Sequence, residues 1–455
     1  SALNSYFGRV NYSYKDKYLI TLTGREDGSS KFGSNNKYGF FPSAGVAWRV
    51  SQESFMKDIT AVSNLKLRGS WGRTGNQEIG SYVTQSYISN TNVVLGGASY
   101  TGLYPSSVAN NDLKWEKSKQ YDAGLEFGIV HDRIRLDFDY YHKLTSNMLL
   151  QVPLPLYTTS GSVTVNYGKV QNAGFEFTLN TRNVETKNFS WSSSITATNN
   201  VNKVVQLVPT GAPIYSQTGA GNGTSVLMIG KPIGSFFGLT RLGVYSTEET
   251  SLAARYGLKP GDLKYLDRNN DGKIDLLTDG SVIGNAFPHW IIGFNNSFTY
   301  KNFDVGIDIQ IVQGITKAFV HESAEDRQLV SGGLNSSLDA WRPDHQNTQV
   351  AQFRPGNGGA YYQSYPDTHE MYDASFIRGS NGVIGYTFPD KTIQKLGFSR
   401  FRIYLSAQNF FLRTKAAGYD PEGSSLDKQF SLVPNTDKYQ YPVPAVFSFG
   451  LNLSF

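Results

Sequence analysis

Apolar and polar residues alternate with a period of two along most of the chain. Leu125, Phe127 and Ile129 alternate with Glu126 and Gly128; Ile134, Leu136, Phe138 and Tyr140 with Arg135, Asp137 and Asp139; Phe175, Phe177 and Leu179 with Glu176, Thr178 and Asn180. The last eleven residues do the same, with Phe447, Phe449, Leu451, Leu453 and Phe455 set between Ser448, Gly450, Asn452 and Ser454. Successive strand side chains point to opposite faces, so each run predicts a strand with one apolar and one polar or tiny face. A 3.6-residue period is nearly absent. One exception is Ser246–Glu249, where Ser at the cap and Glu three residues on predict a capping box opening a short helix to about Tyr256.

Strand length and loop rhythm decide between a soluble sandwich and a membrane barrel. Many runs last about 9–13 residues, longer than the usual 5–6 and matched to a tilted membrane-spanning strand. Short links at Lys15–Lys17, Ser51–Asn64, Val130–Arg133, Asn183–Asn188, Tyr300–Phe303 and Pro389–Ser399 alternate with long Gly/Ser/Asn-rich segments. The long ones are Asp27–Lys37, Thr74–Ser118, Thr145–Tyr167, Asn200–His289, Gly314–Asp373 and Leu412–Pro444. Sorting loops by length between two ends is a habit of outer-membrane barrels. The fold class expected is therefore all-β, a transmembrane antiparallel β-barrel of roughly thirteen strands. With short turns periplasmic, the first strand (Ser5–Tyr14) starts outside and the last, Ala445–Phe455, ends in the periplasm. An odd count of this kind predicts that residues 1–455 are the C-terminal portion of a larger barrel. Tyr12, Tyr14, Tyr18, Phe40, Phe41, Tyr140, Tyr141, Phe298, Tyr300, Phe303, Phe410 and Phe411 fall at strand ends, where aromatic girdles sit.

Composition removes the competing classes. Among 455 residues there is no cysteine, which excludes a disulfide scaffold and thiolate metal sites. With 14% aromatics the chain is not of disordered type. No apolar run reaches the roughly 18 residues of a transmembrane helix. A net charge of +5 forms no basic stripe, so no nucleic-acid partner is expected. The opening SALNSYFGRV has neither a basic nor an apolar stretch of signal-peptide kind.

Many blocks together resemble one family, the SusC/RagA-like TonB-dependent outer-membrane transporters of Bacteroidetes. They include SYFGRVNYSYKDKYLITLTGREDGSSKFG at Ser5–Gly33, NLKLRGSWGRTGNQEIGSY at Asn64–Tyr82, NNDLKWEKSKQYDAGLEFG at Asn110–Gly128 and YGKVQNAGFEFTLN at Tyr167–Asn180. GKPIGSFFGL, GDLKYLDRNNDGKID and the closing YPVPAVFSFGLNLSF follow in family order. The resemblance implies a 22-stranded barrel filled by an N-terminal plug, and taking about thirteen strands from it leaves about nine, again odd. It also implies localisation to the outer membrane, a SusD-like surface lipoprotein as lid, and energy from TonB–ExbB–ExbD. The plug, the TonB box and an N-terminal carboxypeptidase-regulatory-like domain would then lie outside these residues.

The sharpest local motif is DRNNDGKID, in an expected outer loop at 246–285. Asp267, Asn269 and Asp271 stand at positions 1, 3 and 5, Gly272 at 6, Lys273 at 7 with its carbonyl, and Asp275 at 9. Alternating oxygen donors around a Gly suit Ca2+; equally, they suit an Asx/Gly turn stabilised by its own side chains. Position 12 is Thr278 and Asp279 comes one residue late, so the closing ligand stays open. Tyr361, Tyr362, Tyr365 and Tyr372 could stack on a ligand, contact the lid, or pack within their loop. Phe447, Phe449 and Phe455 on the final strand resemble the signal read by the outer-membrane insertion machinery.

No enzyme is expected. Six histidines (131, 142, 289, 321, 345 and 369) are scattered, with no H-E-x-x-H, no G-x-S-x-G and no Walker loop. Carboxylates at 137 and 139 share the polar face of one strand, as a lumen wall would have them. The function expected is the wall and outer loops of an importer of large nutrients, glycans or oligopeptides. Two alternatives remain: a SusC-type barrel serving as a non-transporting structural subunit, and an unregulated porin or adhesin barrel.

Overall fold

The computed structural model describes the chain except residues 1, 34, 154–161, 209, 218–223, 320–337, 353, 355–365, 395–396, 423–435 and 438–440, and at 151–153, 162, 216–217, 224 and 436–437 it describes the backbone alone. Alternating runs become thirteen strands of one sheet: β1 (Leu3–Tyr14), β2 (Tyr18–Ser29), β3 (Tyr38–Arg49), β4 (Val62–Asn76), β5 (Glu116–Ile129), β6 (Ile134–Pro153), β7 (Ser162–Glu185), β8 (Phe189–Gln206), β9 (Trp290–Tyr300), β10 (Phe303–Gln313), β11 (Phe376–Thr387), β12 (Arg400–Thr414) and β13 (Val446–Ser454). They follow one another in chain order. Contacts divide the chain into a first unit (Ser1–Thr181, Thr198–Ala212, Met228–Gly230) and a second (Arg182–Ala197, Pro213–Leu227, Lys231–Phe455).

In the first unit, β1 to β7 pair as antiparallel neighbours. Its tight turns use left-handed backbone. Lys15 and Asp16 both have positive φ (51 and 56), the left-handed centre of a three-residue link closed by Lys17 N donating to Tyr14 O at 3.0 Å. Register places Val10 against Leu22, Leu22 against Ala44, and Leu67 against Leu125, so apolar residues share one face. Arg68, Gly124 and Asp139 line up on the other. Packing of a globular kind occurs on the long-loop side, where Phe32, Phe41, Leu113 and Trp115 form a buried cluster.

Within the second unit, β9 to β13 pair antiparallel in the same manner. Ile307, Ile309 and Ile311 occupy the face of Phe294 and Ile292, while Asp304 and Asp308 oppose Thr299 and Asn295. A separate core under the loops joins Leu239, Val244, Leu263, Tyr265, Trp341 and Ala351, with Ile274 and Leu276 packed against it. A third cluster is Phe236, Ala286 and Ala318.

All six short links fall between consecutive strands as expected, but Thr145–Tyr167 is not a long loop. β6 and β7 run 20 and 24 residues and stay paired out to Pro153 against Ser162. Irregular register at Ser146–Leu149 marks a bulge. Beyond it the segment stays paired, with Leu149 opposite Asn166 and Gln151 opposite Thr164, although Leu149-Leu150-Gln151-Val152-Pro153 shows no clean alternation in sequence.

Candidate functional site

The polar face of the first unit carries a charge network built by strand register. Lys66 opposes Glu126 and Arg68 opposes Gly124, which opposes Asp139. Lys66 Nζ donates to Glu126 Oε1 at 2.9 Å and Arg68 Nη1 to the same oxygen at 2.6 Å, while Arg68 also pairs with Asp139 through Nε (3.1 Å) and Nη2. Gly124 leaves room for that guanidinium, since a Cβ there would stand 2.5 Å from Arg68 Nε. Ser70 and Gln120 donate to Asp122 at 2.9 and 2.8 Å. In the second unit Arg402 pairs with Asp304, and Asn295 and Asn381 donate to Asp308 at 2.7 and 3.1 Å. Each face is hydrophilic and its charged side chains are paired with one another.

The opposite face is apolar and exposed. Phe447 is 74% exposed, Phe449 66% and Phe455 89%, and Phe447 and Phe449 oppose Ala407 and Leu405 across β12. Phe455 also packs its ring at a tilt against Phe398, centroids 5.2 Å apart, the end of a chain of rings through Phe401, Phe388, Tyr386 and Phe303. This belt was only partly legible, because Tyr386, Phe388, Phe398 and Phe401 come together through register. Two assigned girdle residues belong elsewhere. Phe41 is buried on the polar side against Trp115 (ring centroids 5.5 Å), because the odd positions of β3 share the polar face and Phe41 stands at its long-loop end. Tyr141 shares the face of Asp122, and its hydroxyl donates to Asn200 Oδ1 at 3.0 Å.

Loop segments of the second unit are tied by buried charge. Arg241, with a side chain 2% exposed, pairs with Asp367, which is fully buried. Its Nε and Nη2 donate to Asp367 Oδ2 at 2.8 and 2.5 Å, and Tyr265 Oη donates there at 3.0 Å. Arg378 donates to both oxygens of Asp420 at 2.8 and 3.0 Å, and Lys317 Nζ to the Asp420 carbonyl at 2.6 Å. Partners 126 and 103 residues apart left no local signal.

Residues 246–285 hold the capping box and a helix at Thr250–Arg255. Glu249 accepts from the Ser246 amide at 3.1 Å, and the Lys264 ammonium, then that amide, hold its carboxyl below the usual range. In the turn that follows, Asp267 Oδ2 accepts from Gly272 N (3.0 Å) and Tyr256 Oη (3.1 Å). Burial pushes the Asp267 carboxyl up, but these donors outweigh it and its pKa lies below the ordinary value. Asn269 Oδ1 accepts from Asp271 N at 3.1 Å and Asp271 Oδ1 from Lys273 N at 2.8 Å. Asp275 caps the short helix Leu276–Asp279, accepting from Leu277 N and Thr278 N. Asp279, fully buried, accepts from the amides of Arg268 and Asp275, both at 2.8 Å. Among the described residues no three His, Asp or Glu side chains converge as a finished metal cluster. Tyr372 packs edge-on against Phe319 at 5.1 Å and lines a cavity of about 720 Å³ with His289, Gln313, Thr316, Met371 and Asp373. Tyr361, Tyr362 and Tyr365, like His321, lie outside the described residues.

Residues 1–271 match the family described as "TonB dependent receptor-like, beta-barrel". The chain belongs to the TonB-dependent receptors. It is 36% identical over 466 residues to TonB-dependent receptor P3 of Formosa agariphila, covering 100% of this chain and 45% of that protein. TonB-dependent receptor SusC of Bacteroides thetaiotaomicron is 32% identical over 472 residues, with 100% and 44% covered. Among solved structures, the RagAB peptide transporter superposes with a TM-score of 0.82 at 25% identity, over 100% of this chain and 48% of that one. This receptor chain therefore spans somewhat less than half the length of the relatives it matches. Membership explains the exposed apolar face: receptors of this class cross the outer membrane with strands, and the lipid covers that face.

Proposed function

We propose that this chain forms the wall and outer loops of a SusC-like importer of large nutrients, glycans or oligopeptides. Cargo is captured at the long loops, moves along the polar face, and enters the periplasm. A SusD-like surface lipoprotein serves as lid over the loops, and TonB–ExbB–ExbD energises passage through segments outside these 455 residues. Phe447, Phe449 and Phe455 present the insertion signal. The observation that carries the reading is likeness to the RagAB peptide transporter along the entire chain, supported by the paired polar face of Lys66, Arg68, Glu126 and Asp139.

The test uses the full-length protein, tagged in its native membrane. A surface lipoprotein should co-purify in near-stoichiometric amount, and cells should accumulate labelled oligopeptide or oligosaccharide only when TonB is present. Uptake of neither cargo class, or uptake indifferent to TonB, overturns the importer reading; purification without a lipoprotein overturns the lid.

A further inference from the structure

The turn 267–273 holds one oxygen that the fold leaves unanswered. Asp267 is only 8% exposed. Its Oδ2 is occupied by the Gly272 amide and the Tyr256 hydroxyl, yet Oδ1 is buried with no hydrogen-bond partner. A buried carboxylate oxygen is costly without a positive partner. The same turn carries oxygens of the hard kind: the side chains of Asn269 and Asp271, both exposed, and the carbonyl of Lys273. Gly272, at φ +81, makes the reversal that brings them onto one loop.

We propose that this turn binds a calcium-type divalent cation through Asp267 Oδ1, Asn269, Asp271 and the Lys273 carbonyl, water completing the shell. Asp275 and Asp279 take different parts. Asp275 caps the next helix. Asp279 is a positioning residue, its oxygens gathering the amides of Arg268 and Asp275 so that the turn keeps its shape. Calcium fits better than magnesium, because a mixed set of amide, carboxylate and carbonyl oxygens tolerates irregular geometry, whereas magnesium demands a near-ideal octahedron. The cation acts on the loop core: Ile274 and Leu276, immediately after the turn, pack against the Leu239–Trp341 cluster. Binding thus fastens the turn to that core. An affinity of about 10⁻⁴ to 10⁻³ M suits an extracellular module.

The experiment takes the full-length receptor in detergent, stripped with chelator, and titrates it with terbium while exciting tyrosine. Tyr256, bonded to Asp267, lies close enough to sensitise emission. A saturable signal displaced by calcium at millimolar concentration is expected. It should vanish in Asp271→Ala and Asp267→Asn, and Asp279→Asn should weaken binding by about tenfold, as supporting residues around metals do. Asp271 is exposed, so its variant keeps the fold and carries the test even where Asp267→Asn does not assemble. No sensitised signal, or Asp271→Ala binding like the parent, overturns the site. Displacement by magnesium at equal concentration overturns the calcium assignment.

Discussion

Asp367 receives four charged or polar donors in a place that water does not reach: two nitrogens of Arg241, the hydroxyl of Tyr265 and the amide of His369. A buried pair contributes little net stability over an apolar alternative, but removing one partner strands the other charge at a cost of about 3–5 kcal/mol. Asp367→Ala should therefore loosen the loops of the second unit while leaving the strands in place. Limited proteolysis on intact cells should show new loop cleavage with the heat-modifiable band unchanged; parental protease resistance would sink the idea. Glu53 gives a pH-dependent counterpart on the short-turn side. Lys17 Nζ donates to it at 2.8 Å, Tyr18 Oη at 2.7 Å and Trp48 Nε1 at 3.1 Å. These contacts, Lys17 foremost, hold its carboxyl at about 2 against an ordinary 4.5. A depressed carboxylate stabilises the fold fully above its unfolded pKa, and the contribution is lost as pH falls through the folded one. Glu53→Gln should lower Tm at pH 7, and the difference from the parent should shrink between pH 4.5 and about 2. A constant gap across that range would argue against the ionic contacts.

At the scale of the strand, alternation assigns opposite environments to neighbours. Leu405 opposes Phe449 on the lipid face of β12, while Ser406, one residue on, opposes Ser448 on the polar face. Leu405→Lys should cost about 2–4 kcal/mol near the bilayer midplane, and Ser406→Lys close to nothing on a wet face. Urea titration of refolded protein in lipid vesicles measures both; equal costs would mean that the faces are misassigned. Loops obey another rule, that of small globular cores. Gly33 shows how tightly two of them meet, since a Cβ there would stand 1.8 Å from the Asn111 carbonyl oxygen.

For the whole molecule, insertion is the outcome that matters most, and β13 carries the proposed signal. Deleting Phe455 should give protein that is exported but poorly inserted, depleted from the outer-membrane fraction and lacking the folded band; normal insertion would count against the signal. Sequence and structure agree most closely at this scale, because strand number, turn order and face assignment all follow from a period of two that register cannot shift without turning every side chain over. Agreement weakens where contacts are long-range. Nothing near Arg241 announces Asp367, and Phe41 alternates like a girdle residue although its side chain meets Trp115. Of the acidic loop, donor types were legible, but the division of labour between Asp267, Asp275 and Asp279 depends on which amides each reaches.

The long hairpin of β6 and β7 has one more consequence. A crossing needs about 10 residues, and β6 has 20, so about ten more, at roughly 3.3 Å each, stand beyond the hydrocarbon. A reagent that approaches the outer end of this hairpin, an antibody for example, meets the paired spur before it meets the bilayer.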